Sequence, residues 1–310
     1  MASRQFRLRH GCVCACVSTL FALTGCGQFF PPLTSGGGGG GGTSTGDYLY
    51  VGNLGTNPLS IAGFSIGTTS LSGISGSNWS VELEPTALAV TPTDTYLYLG
   101  SAAGGIYVYT IGSNGALTIA NNGSPVATGV SPSVLRVDPT GKWLLGASAF
   151  AGQAYVYQIG SGGSLTAISS SVVTLNASTP ATDLEITPNG NYVFVSCGTA
   201  GIYEMSFSTG SGALAQINGV LNPKTNGAAD MGLAVSPSSN YLFAAETVTG
   251  GVRVFSIGTN GVLTETSGSP YTTNTGAWSV LVDSTGSYVY VANRTAGTIS
   301  AFLLTNTGAL

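Results

Sequence analysis

The chain has 310 residues with 8 Lys+Arg, 12 Asp+Glu and one His, so only 6% of it is charged while 43% is hydrophobic. An ordinary soluble domain carries about 25% charged residues and about 7% glycine, whereas glycine here reaches 47 of 310. That balance excludes a charged disordered chain and a helical bundle, and it favours an all-β fold.

Arg4, Arg7 and Arg9 precede an apolar or small-residue run of 13 at residues 11–23, GCVCACVSTLFAL. A basic segment followed by an apolar run too short to span a bilayer reads as a secretory signal peptide. It closes on Leu23-Thr24-Gly25-Cys26, which resembles the bacterial lipobox. The resemblance implies cleavage before Cys26 and a lipid on that cysteine. Residues 1–25 are therefore read as a lipoprotein signal peptide. Residues 26–46 are read as a tether: seven consecutive glycines within PPLTSGGGGGGGTSTG make a flexible coil. The expected address is the bacterial cell envelope, periplasmic or surface-exposed, with the lipid as the sole membrane contact. Cys12, Cys14 and Cys16 lie in the leader, so Cys197 alone remains beside the acylated Cys26 and no intramolecular disulfide is expected. Within YVFVSC, Cys197 reads as a small buried strand residue.

From Asp47 onward the sequence repeats. The same strand opens on an aromatic at Tyr48 (YLYVGN), Tyr96 (YLYLGS), Trp143 (WLLGAS), Tyr192 (YVFVSC), Tyr241 (YLFAAE) and Tyr288 (YVYVAN), at spacings of 48, 47, 49, 49 and 47. From the second onward, each is preceded by a shorter apolar strand and a tight turn: LAVTPTDT, LRVDPTGK, LEITPNGN, LAVSPSSN and VLVDSTGS. Proline presets φ in such turns, and Gly or Asn accepts a left-handed corner. A third strand and a Gly-rich hairpin follow in IYVYTIGSNGALT and its counterparts. A period near 48 with three or four short strands per unit predicts a β-propeller of four-stranded blades over residues 47–310. These 264 residues amount to 5.5 units. The first unit opens on a second strand, so open sheet edges are expected and the reading frame looks truncated.

Several side chains stand out within the repeat. Arg136 in LRV and Glu185 in LEI occupy innermost strands one blade apart, where alternation can turn both toward the axis, to pair with each other or to bind a polar ligand. Asp138 and Asp283 precede the inner turns and read as turn caps. Trp79, Trp143 and Trp278 read as packing between blades, although an aromatic-rich mouth also suits a sugar face.

The YLYVG openings and the P-x-G-x-Y and G-x-L-T phrases resemble the seven-bladed propeller lactonases, the family of bacterial 6-phosphogluconolactonase and fungal carboxymuconate cyclase. The resemblance implies a seven-bladed ring when complete. YLFAAETVTGGVRVFSI is similar to the family's strand ending in Asn-Glu-Leu, which puts Glu246 at its acidic position. One blade on, YVYVANRTAGTISAF resembles the Ser-Asn-Arg phrase and puts Asn293 and Arg294 there. The chain departs from the family where Asp230-Met231-Gly232 replaces Pro-Arg-His, and where Val134, Ala181 and Asp183 stand at positions the family gives to histidine. The sole histidine, His10, lies in the leader, so imidazole chemistry is excluded from residues 47–310.

Opening a lactone needs a base and a stabiliser for the oxyanion. Glu246 is then the candidate base, Arg294 or Arg136 the stabiliser, and Asn293, Arg136 and Glu185 candidate ligand contacts. The alternatives are a divergent propeller without catalysis in which Glu246 and Arg294 merely pair, a surface module binding glycan, peptidoglycan or a protein, and a structural scaffold. No cofactor is called for. Thiolate, imidazole and D-x-D-x-D-G metal motifs are missing. With three arginines lost in the leader, five Lys+Arg face twelve Asp+Glu, which excludes nucleic acid as a partner. A sugar lactone, a glycan or a protein remains the expected ligand of a monomer.

Overall fold

The computed structural model describes residues 47–54, 58–67, 69–148, 152–175, 179–221, 228–247 and 251–310. The leader, Cys26 and the tether lie outside the described residues. No helix among the described residues is long and apolar enough to cross a membrane.

The repeat folds as predicted into six antiparallel sheets of three to five strands, arranged as blades of a propeller. In a full blade such as the third, the innermost strand Pro132–Val137 pairs with Trp143–Ser148, then Gln153–Ile159, then Leu165–Thr174. The first blade starts at Asp47–Asn53, the counterpart of a second strand, and has no strand inside it; the sixth ends after its third strand, Thr298–Leu303. One feature was not legible in the repeat. In the first, second and fifth blades the outer edge is split into two short strands that both pair with the third strand, as Leu117–Ile119 and Ala127–Thr128 do with Gly105–Ile111.

Five apolar clusters hold the blades together, one at each junction between consecutive sheets. Strand alternation creates them: in Tyr96–Ser101, Leu97 and Leu99 pack toward the first blade while Tyr98, between them, packs toward the third. The second to fifth sheets thus bury both faces against their neighbours, which a single blade is too small to do alone. The far face of the sixth blade presents Leu281, Tyr288, Tyr290, Ile299 and Leu303 to solvent.

In the first, third, fourth and fifth blades the aromatic that opens the second strand is a latch onto the next blade. Tyr48, Tyr192 and Tyr241 donate their hydroxyls to the carbonyls of Ser113, Thr259 and Asn306, and Trp143 Nε1 donates to Thr209. Each of these rings lies on the glycine of the neighbouring hairpin. At Gly261, with φ +80°, an added Cβ would sit 2.4 Å from the Tyr192 ring. Glycine there answers both the left-handed backbone and the missing space.

The inner turns of the second to sixth blades are each closed by one side chain. Asp138 Oδ1 accepts from the N–H groups of Lys142 and Trp143, and Asp283 Oδ1 from those of Ser287 and Tyr288. Thr91, Thr187 and Ser236 do the same with their hydroxyls. The cap reading of Asp138 and Asp283 thus extends to Thr and Ser at the same position. The left-handed corner falls on Gly141, Gly190 and Gly286, but on Asp94 and Ser239 elsewhere. The capped turn imposes that conformation on residues that do not favour it.

Candidate functional site

The inner strands run side by side around the axis, and a repeated hydroxyl stitches them. Thr86 Oγ1 donates to Pro132 O at 2.6 Å, Ser133 Oγ to Ala181 O at 2.7 Å, and Thr182 Oγ1 to Met231 O at 3.0 Å. In the fifth and sixth blades that position is Met231 and Trp278, and the stitch stops. Strand approach there is closer instead: a Cβ on Gly232 would lie 2.7 Å from Ser279 Cα and 2.8 Å from Trp278 O. The break in the repeat coincides with a concentration of charge.

At that junction Asp230 opens the inner strand of the fifth blade and Glu246 ends the second strand, and the two stand directly opposite in register. Opposed residues of an antiparallel pair project to the same side, with Cβ atoms about 4.5–5.5 Å apart. Both are fully buried, at 0% exposure. Arg253, from the third strand, sets Nη1 2.9 Å from Asp230 Oδ2 and Nη2 3.3 Å from Glu265 Oε2 on the fourth. Ser269 donates to the other oxygen of Glu265 at 2.7 Å. Burial pushes the Asp230 carboxyl up to about 7; the Arg253 charge opposes that rise, and the charges of Glu246 and Glu265 add to it.

The sixth blade supplies the other half of the rim. Asn293 ends the second strand at the place Glu246 holds in the fifth; it is buried and donates from Nδ2 to Ser300 Oγ at 2.9 Å. Arg294 follows it, half-buried, with its guanidinium 4.4 Å from the centroid of the Trp278 ring. Such a cation–π contact fixes the place of the charge over the ring. Trp278 therefore carries an arginine, unlike Trp143, which packs between blades as expected. Glu246 stands opposite Asp230 in the fifth blade, and Arg294 lies over Trp278 in the sixth, where Gly232 and Trp278 make the close approach of the two inner strands.

Arg136 and Glu185 occupy a second polar centre, on the inner strands of the third and fourth blades. They pair: Arg136 Nη2 lies 3.1 Å from Glu185 Oε1 and 2.8 Å from Asp183 Oδ1. Asp183 also accepts from the N–H groups of Leu184 and, across the next junction, Leu233. All three side chains are buried. Burial raises both carboxyls above their ordinary range, more than Arg136 lowers them. Asp183, which the sequence offered only as a replaced histidine, is the tie between three blades. Cys197 is buried, its thiol pushed up to about 12 by burial. Among the described residues no group of three or more His, Cys, Asp or Glu side chains is arranged to hold a metal ion.

The six antiparallel sheets, stacked blade on blade, define the protein as a β-propeller. Residues 48–310 match the family model described as lactonase, 7-bladed β-propeller, and the chain belongs to that family. Among solved structures, a protein from Lactobacillus plantarum superimposes with a TM-score of 0.74 at 20% identity, over 85% of this chain and 80% of that one. A putative 6-phosphogluconolactonase from Bacteroides fragilis gives 0.67 at 20% identity, over 85% and 79%. The periplasmic gluconolactonase of Pseudomonas aeruginosa gives 0.66 at 17% identity, over 84% and 80%. At these identities the likeness is one of fold. No curated protein matches the chain.

Proposed function

We propose that this protein opens sugar lactones of the gluconolactone type at the junction of the fifth and sixth blades. The observation that carries the reading is the gathering of Asp230, Glu246, Arg253 and the Trp278-stacked Arg294 at the one place where the inner-strand hydroxyls stop. Family membership and the gluconolactonase neighbours support the substrate class. Arg294 meets the lactone carbonyl and stabilises the oxyanion that forms on it. Glu246 takes the proton from the attacking water, the task a histidine performs elsewhere. Water adds to the carbonyl carbon, the ring C–O bond breaks, and the departing alkoxide recovers a proton to give the open hydroxy acid. Arg136, Glu185 and Asp183 pair with one another and serve the scaffold.

The same proposal includes the address: a lipid on Cys26 and the glycine tether of residues 26–46 hold the propeller at an envelope membrane. Metabolic labelling with a fatty acid, lost in Cys26→Ser, tests it.

Hydrolysis of glucono-δ-lactone by purified protein, measured above the spontaneous rate, tests the chemistry. Glu246→Gln and Arg294→Met are each expected to lower kcat/KM by about 10²–10³-fold. Wild-type protein that does not accelerate the reaction, or variants that keep the full rate, overturns the reading.

A further inference from the structure

We infer that Asp230, held by Arg253, is a positioning residue that faces Glu246 as a neutral carboxylic acid and pins the Glu246 carboxylate with its own O–H. The role assigned to Glu246 rests on the lactone-opening reading above; the proton on Asp230 does not.

The argument begins with geometry. Asp230 and Glu246 are cross-strand partners, and neither side chain reaches solvent. Asp230 Oδ2 is taken by Arg253 at 2.9 Å, while its buried Oδ1 has no hydrogen-bond donor among the described residues. A buried carboxylate oxygen without a donor is costly, whereas the same oxygen bearing a proton becomes a donor to a carboxylate beside it. Two carboxylates opposite each other in a water-excluded place do not both ionise readily.

The surrounding charges agree. On the strands of its own blade Asp230 feels the charges of Glu246, Arg253 and Glu265, and it shares the Arg253 guanidinium with Glu265. From the sixth blade Arg294 sits over Trp278. On the fourth blade the nearest acid, Asp183, is committed to Arg136 and to backbone N–H groups, and the Cys197 thiol is buried and neutral. The Asp230 carboxyl accordingly titrates at about 7. The arrangement supplies in a carboxyl pair the orienting hydrogen bond that an imidazole-free site lacks.

The test is Asp230→Asn, which keeps the shape and a donor but removes the titration. The melting temperature of variant minus wild type is measured from pH 5 to pH 8.5. The folded pKa is raised, so wild type loses stability as pH climbs through 7 while the variant does not; the difference therefore moves in the variant's favour with rising pH. A difference that is flat, or that moves against the variant, means Asp230 is ionised throughout and overturns the inference. If the variant does not fold, infrared spectra of wild-type protein carrying 13C at the Asp230 carboxyl alone decide: a protonated carboxyl band at pH 6 that fades by pH 8.5 supports the inference, and its absence at pH 6 overturns it. With lactonase activity present, the acid-to-neutral limb of the kcat profile is expected to shift in Asp230→Asn with KM nearly unchanged, and a profile superimposable on wild type removes the positioning role. Absence of activity in wild type counts against the lactone reading and leaves the titration result standing.

Discussion

Arg136 shows how much one side chain can carry in a protein so poor in charge. Its guanidinium serves Asp183 and Glu185 together, and Asp183 in turn accepts from Leu233 in the following blade. Replacing such a cation leaves two buried acids without their counter-ion, and breaking a buried pair this way costs about 3–5 kcal/mol. Arg136→Met is expected to lose about that much in urea unfolding at pH 7.5. Most of the loss is expected to be recovered at pH 5, where acids with raised pKa take up protons. Equal destabilisation at both pH values would show that the loss is one of packing. The sequence offered Arg136 and Glu185 as neighbours because each sits at the same place in its repeat. It marked Asp183 only as a replaced histidine; two residues before Glu185 on the strand Asp183–Ile186, its side chain shares that face and meets Arg136 when the third and fourth blades stack.

At the scale of an element, the repeated unit is a strand opened by an aromatic and a hairpin closed by glycine, and the two halves of each latch come from different blades. Tyr241 donates to Asn306 O at 2.9 Å and its ring covers Gly308, whereas Tyr288 is 46% exposed. Tyr241→Ala is therefore expected to cost about 2–4 kcal/mol by the loss of a large packed side chain, and Tyr288→Ala less than about 0.5 kcal/mol. Chemical denaturation of the two variants checks this contrast, and equal costs would sink the latch. Gly261→Ala combines a left-handed backbone with a Cβ 2.4 Å from the Tyr192 ring, and a loss of about 1–3 kcal/mol is expected in the same measurement. The sequence displayed both halves of the latch at a fixed period. It did not show that they join, because residues about 65 apart meet only when consecutive sheets stack.

For the whole molecule, pH follows from where the acids are buried. Asp183, Glu185 and Asp230 are all raised by burial, Asp230 to about 7 and Glu185 to about 8. The unfolded chain titrates the same groups near 4. The folded state thus binds more protons between those limits, and the stability they contribute is complete below about pH 4 and is lost as pH rises toward 8. Asp283 works in the opposite sense. Desolvation alone would raise its pKa, but hydrogen bonds from Thr285, Tyr288 and Ser287 outweigh it and leave the carboxyl of this half-buried side chain below its ordinary value. The melting temperature is expected to fall from pH 5 to pH 8.5, and a rise across that window would contradict the burial of these charges.

The sequence by itself determined the class and the repeat of about 48 residues, because period, alternation and turn chemistry are local and recur; the six sheets came from the tertiary structure. The sequence marked Asp230-Met231-Gly232 as a departure from the family's phrase and offered Glu246 and Arg294 as candidates. Only the tertiary structure decided what those residues do to one another. Strand register sets Asp230 against Glu246, Arg253 reaches them from a third strand, and Trp278 turns its face to Arg294. Each of these contacts needs the sheet to form and the neighbouring blade to stack before the partners meet, so no spacing along the chain encodes it.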